Sequence, residues 1–143
     1  MTQLAILYPV FVQVLLTLAV YPALLMGRKT SLQRSGGRFT DPDVALGHHT
    51  WSEEATKRSN NLRSQFELPV LFYAVVAFAL IAKGADLIMI VLAWLFVVLR
   101  IAHAAIHLGS NDVQKRGPIF GFGLIVIFLM WVKLAVHVAT AGV

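Results

Sequence analysis

The chain has no cysteine, which excludes disulfides, iron–sulfur ligation and nucleophilic catalysis by a protein thiol. Any thiol chemistry must be brought by a ligand. Charge is also scarce: 13% of the 143 residues are charged, with 7 acids against 12 lysines and arginines, too few for the water-facing surface of a soluble domain. Most of the five prolines sit at the borders of apolar runs, where a lost backbone bond is most easily made good. Pro9 and Pro22 lie near the two ends of the first run. There is no internal repeat and no low-complexity segment.

What the chain does have is hydrophobicity, 58% of its residues with a mean hydropathy of +0.75. Crossing the hydrocarbon takes roughly 20 mostly apolar residues as helix. Leu4–Met26, Leu62–Ala82, Leu87–Leu108 and Ile119–Val138 qualify. They predict an all-α, integral membrane four-helix bundle in a single domain, residues 1–143, with helices at about 4–27, 62–83, 86–108 and 118–140. The first run is too long for a secretory signal and lacks a basic start and a small-residue cleavage site, so it reads as a retained helix. The tight turn Lys83-Gly84-Ala85-Asp86 predicts that the second and third helices are antiparallel neighbours. The loop at about 28–61 is expected to carry a helical extension into the second helix, with Asp41-Pro42 as its start signal.

The basic residues are sided. Arg28, Lys29, Arg34, Arg38, Lys57, Arg58 and Arg63 fall in or beside the first loop, and Lys115 and Arg116 in the third. The positive-inside rule then puts both loops in the cytoplasm and both termini outside it, across an inner membrane. Basic juxtamembrane loops account for the high isoelectric point, so no nucleic-acid partner is implied. Lys133, near the outer end, is expected to snorkel to the surface.

Polar residues inside the spans gather at one end. Arg100, His103 and His107 repeat at i, i+3 and i+7, a single helix face continued by Asn111, and Arg58, Asn61 and Gln65 repeat the same spacing on the second helix. Glu67 points nearly the opposite way from Gln65. Ionisable groups at membrane depth are expensive and are commonly kept for a cavity, a pathway or a buried pair. Two facing stripes of this kind suit an anionic ligand with many hydrogen-bonding groups. His48, His49 and Glu53 do not make a convincing metal site, since adjacent loop histidines are more often solvated. His103 and His107 lie on one face of one helix, so they are unable to take opposite axial positions on a haem.

The stretch Arg58-Ser59-Asn60-Asn61-Leu62-Arg63-Ser64-Gln65-Phe66-Glu67-Leu68-Pro69-Val70-Leu71-Phe72 resembles the second-helix signature of the MAPEG superfamily, membrane-associated proteins in eicosanoid and glutathione metabolism, in the form of its bacterial members. Arg100-Ile101-Ala102-His103-Ala104-Ala105-Ile106-His107-Leu108-Gly109, followed by Arg116-Gly117-Pro118-Ile119, is similar to the third helix and following loop of the microsomal prostaglandin E synthase branch. The resemblance implies a homotrimer that binds glutathione between subunits near the cytoplasmic side and acts on hydrophobic electrophiles or lipid peroxides as a transferase or peroxidase. Carried over by position, Arg58, Asn61, Gln65, Arg100 and His103 would hold glutathione, with Arg100, His107 and Arg116 serving catalysis. The chain departs from the pattern in three places. Gln65 and Phe66 stand where an acid is usual, and the acid is Glu67; His107 replaces a tyrosine; Phe120 replaces an arginine. A non-catalytic lipid-binding or scaffolding protein is the second reading, and a small proton-linked transporter with Arg100, His103 and His107 as relay is the third.

Overall fold

The computed structural model describes residues 3–110 and 112–141, so Asn111 lies outside the described residues. A short 3-10 turn, Gln3–Ile6, leads into α1 (Leu7–Ser35). There follow α2 (Pro42–Ala45), α3 (Glu53–Ser64), α4 (Leu68–Ile81), α5 (Leu87–Leu108) and α6 (Val113–Ala141). The described residues contain no strand, and four helices, counting α3 with α4, are long and apolar enough to cross a membrane. Phe11, Leu15, Val91, Phe128 and many other large apolar side chains are exposed. In water such a surface would aggregate, and against lipid it is satisfied. The chain is an integral, multi-pass membrane protein.

Helix α1 does not stop near residue 27, where the apolar run ends. Nothing between Gly27 and Ser35 breaks a helix, and hydrophobicity marks the edge of the membrane rather than the edge of the helix. The stop is Gly36, whose φ of 72° is the left-handed cap that glycine accepts without penalty. The extended end is held by α3. Ser31 Oγ accepts from the Ser52 backbone N–H at 2.9 Å, and Arg58 Nη1 donates to the Ala23 carbonyl at 2.6 Å. Gly27 makes this approach possible, since a Cβ there would stand 2.8 Å from Arg58 Cδ.

The expected extension into the second helix is present, but it starts at Glu53. Asp41-Pro42 opens only the four-residue α2. Ser52 caps α3 by accepting from the Ala55 N–H, and Glu53 and Glu54 complement the positive end of its dipole. The second span is also not continuous. Pro69 has no N–H to offer the Gln65 carbonyl and its ring crowds that position, so the chain breaks at residues 65–67 before α4 resumes.

Consecutive α4 and α5 are not the close neighbours expected from their short turn. Helix α4 packs on α6, whereas α5 lies between α6 and the α1/α3 pair. Phe72 of α4 and Phe96 of α5 still stack across the core at 4.7 Å between centroids, among Val75, Met89, Ala93, Val97 and Met130. The fourth helix begins at Val113 rather than near 118, leaving Pro118 inside it. At the end of the bundle opposite the basic loops, Lys133 Nζ reaches the half-exposed Asp86 carboxylate and bonds Oδ2 at 2.6 Å. Beside it His137 Nε2 lies 3.0 Å from the Ala82 carbonyl oxygen, and Gln3 bonds the Lys83 carbonyl.

Candidate functional site

At the other end, where α3, α5 and α6 converge, the interior turns polar. Gln13, Asn61, Ser64, Gln65, Arg100, His103 and His107 are all buried. The α5 face read from the spacing is therefore an inward face. The break before Pro69 shapes what it meets. A C-terminal turn of α3 ends at Ser64, and Arg100 Nη2 donates to the Ser64 carbonyl at 2.9 Å and to its hydroxyl at 3.0 Å. A guanidinium at a helix C-terminus is placed favourably for the dipole. Those two bonds use one nitrogen, while Nε and Nη1 of this 1% exposed side chain have no partner. Buried, unpaired donors on a charged group are costly, so their presence calls for an explanation.

In front of Arg100 lies a cavity of about 410 Å³ lined by Asn60, Arg63, Ser64, Glu67, His103, His107, Arg116, Gly117 and Phe120. That volume falls within the range of ~300–1,000 Å³ of small-molecule sites. Its wall carries both signs of charge, with Arg63 and Arg116 against Glu67. Arg116 Nη1 lies 3.3 Å from His107 Nδ1, and the His103 ring stands 5.8 Å from both His107 and Phe120 between centroids. His103 Nδ1 is a further buried atom without a partner.

The residues proposed from sequence thus divide into three groups. His103, His107 and Arg116 line the cavity, and Arg100 sits one layer behind it, reaching it through Ser64 and His103. Asn61 and Gln65 face the opposite side of α3. Gln65 Oε1 accepts from Gln13 Nε2 at 2.9 Å, and Gln65 Nε2 donates to Asn61 Oδ1 at 3.4 Å. Arg58 is turned toward α1, bonded to Ala23 and paired with Glu54. Equal spacing put these three on one face, but that face looks at α1 rather than at α5.

Sequence reasoning missed Asn60, Arg63, Ser64 and Glu67, the cavity's other polar residues, because it followed the stripe at 58, 61 and 65; positions 60, 63, 64 and 67 recur at i, i+3, i+4 and i+7 on the adjacent face, and that face meets the cavity. That recurrence was the available signal. It also missed Gln13, fully buried in α1 and the partner of Gln65. A single glutamine within an apolar run was the clue there. Among the described residues, no three His, Asp or Glu side chains are grouped to hold a metal.

Comparison with protein-family models matches residues 6–136 to the MAPEG family, and a match over nearly the whole chain shows that the protein belongs to it. No curated protein and no solved structure matches the chain significantly. Membership implies a membrane protein of glutathione-related transferase, peroxidase or related activity.

Proposed function

With the MAPEG family as premise, we propose that the cavity binds glutathione and that the protein transfers its thiol to hydrophobic electrophiles or uses it to reduce lipid peroxides. MAPEG members generally use glutathione, and the donor set here suits it. Arg63 and Arg116 are matched to carboxylates, Glu67 to an ammonium and Asn60 to a peptide group. The displaced acid therefore supplies the counter-charge that Gln65 lacks. The observation that carries this reading is the pairing of a cavity bearing both signs of charge with an unpartnered buried ring nitrogen on its wall, His103 Nδ1, and unpartnered donors on Arg100 just behind it. Glutathione contributes the nucleophilic sulfur. The protein's part is to favour the thiolate, because positive charge nearby lowers a thiol's pKa.

In this reading Arg58, Asn61 and Gln65 hold α3 against α1 and set the cavity wall from behind. The assembly is a homotrimer, as MAPEG members generally are, lying in an inner membrane with both termini outside the cytoplasm. Lipid surrounds the apolar faces, and hydrophobic substrate reaches the site from it. The second reading, a non-catalytic lipid-binding or scaffolding protein, is favoured by one observation: Asn61, Gln65 and part of Arg100 are already bonded within the chain.

The test is a glutathione titration of the detergent-purified protein followed by thiolate absorbance in the ultraviolet, with Arg100→Met beside the wild type. A saturable thiolate signal that the variant lacks supports the enzyme. No signal from folded wild-type protein returns the decision to the scaffolding reading.

A further inference from the structure

The contact between Arg116 and His107 fixes more than a distance. Every polar hydrogen-bonding atom of a guanidinium is a donor, and it has no acceptor. A 3.3 Å approach of Arg116 Nη1 to His107 Nδ1 is a hydrogen bond only when Nδ1 is unprotonated and presents its lone pair. The ring proton of a neutral imidazole then belongs to Nε2. Among the described residues Nε2 has no protein partner, and His107 lines the cavity. The other charged and titratable groups around it are Arg100 and His103 from α5, Arg116 from α6, and Arg63 and Glu67 from the two sides of the α3/α4 break.

We propose that Arg116 is a positioning residue that locks His107 as the neutral Nε2–H tautomer, and that this N–H is the donor that receives a developing oxyanion. The proposal rests on the glutathione reading and deepens it by assigning these two residues their roles and by saying which substrates depend on them: electrophiles whose attack places negative charge on oxygen, for which an epoxide serves as the test case. The sulfur–carbon bond forms as the carbon–oxygen bond of the ring opens, and the electron pair of that bond goes to oxygen. His107 keeps its proton and stabilises the alkoxide by hydrogen bonding. Water protonates the alkoxide, and the hydroxide left behind is neutralised by the proton the thiol gave up. The sum is addition of a thiol across the epoxide, with no external oxidant or reductant. A preorganised donor aimed at a charge that appears only in the transition state contributes to rate rather than to ground-state binding. An alkyl halide, which releases its charge as a halide ion, gains little from it.

The tautomer is measurable without any ligand. In protein labelled with ¹⁵N-histidine, the His107 resonances are those lost in His107→Phe. The expected wild-type signature is an unprotonated Nδ1 and a protonated Nε2. Arg116→Gln should release a mixture of tautomers, and Arg116→Lys, which also offers only donors, should restore the signature. A wild-type Nδ1–H ring or an imidazolium at neutral pH overturns the lock. The substrate half is read from turnover with glutathione. His107→Phe should lose ~100-fold in kcat on an epoxide, the scale for one oxyanion donor, and no more than a few-fold on an alkyl halide. Equal losses on both substrates refute the oxyanion role. Absence of all glutathione turnover in wild-type protein that shows the NMR signature removes the glutathione reading and the substrate half together, and leaves the tautomer lock standing.

Discussion

Replacing Arg100 by methionine separates a residue kept for folding from one kept for a ligand. In the ligand-free protein two donors of the buried guanidinium, Nε and Nη1, are unpaired, at about 1–3 kcal/mol each. Methionine fills a similar volume and removes both. It leaves the Ser64 carbonyl with only a 3.4 Å contact from the Glu67 N–H, a penalty of about 1–3 kcal/mol, and frees a hydroxyl that can rotate to a backbone acceptor. The difference is about 2 kcal/mol in favour of the variant, in line with the behaviour of other buried charges exchanged for apolar groups. At roughly 2–4 °C per kcal/mol, the variant should unfold at the wild-type midpoint or somewhat above it. The assay is thermal unfolding in detergent with and without glutathione. The wild type alone should gain stability on adding the tripeptide, by about 2.7 kcal/mol at a hundred times Kd. A variant that loses more than about 2 kcal/mol without ligand would refute the reasoning and make Arg100 a structural cap for the end of α3.

Two further predictions concern the opposite end of the bundle. Gly84→Ala should destabilise by about 1–3 kcal/mol, the usual range for overpacking, because a Cβ there would stand 2.6 Å from His137 Cδ2 and drive the ring off the Ala82 carbonyl; hydrogen exchange at the end of α6 should report it, and an unchanged pattern would count against the packing. Partial burial pushes the Asp86 carboxyl up, but bonds from Lys133 and the Met89 N–H and the charges of Lys133 and His137 outweigh it and hold Asp86 below its ordinary value. Stability from this group is therefore present above the unfolded carboxylate range near ~3.9 and lost as pH falls through the lower folded value. The side chain is about half exposed, so the effect is under about 1 kcal/mol; Asp86→Asn should flatten acid-induced loosening of α6, and identical acid profiles in variant and wild type would remove the assignment.

The four spans and the inward polar face of α5 were legible because each depends on a pattern within one unbroken helix: length of apolar run, or recurrence at i, i+3 and i+7. Arg100, His103 and His107 share a face for that reason. Legibility failed where the pattern had to be carried between helices. Arg58, Asn61 and Gln65 do share a side of the second span, but no spacing says which neighbour that side meets, and the neighbour is α1. The wall residues Asn60, Arg63 and Glu67 repeat the same spacing on the adjacent face, and that face is the one turned to the cavity. Helix ends near 27 and 118 were misplaced because hydropathy follows the solvent and hydrogen bonding follows the backbone. Early in α6 a Cβ at Gly121 would meet nothing within 4 Å, whereas one at Gly123 would lie 3.8 Å from Leu68 Cδ1 and 3.9 Å from Phe96 Cε2, so only the second glycine marks a close helix approach.

The interruption at residues 65–67 gives a single crossing two allegiances. Its segment beside the basic loop is fastened to α1, through Ser52, Arg58 and Gln65, whereas its apolar segment is packed on α6. The cavity is bounded on one side by the joint between them and on the other by α5 and α6. Moving α3 about that joint would change the width of the mouth while α4 stays packed on α6, at the expense of the bonds that tie α3 to α1 and Arg100 to Ser64. Admission of a bulky guest and integrity of the membrane seal are thereby assigned to different parts of the same helix.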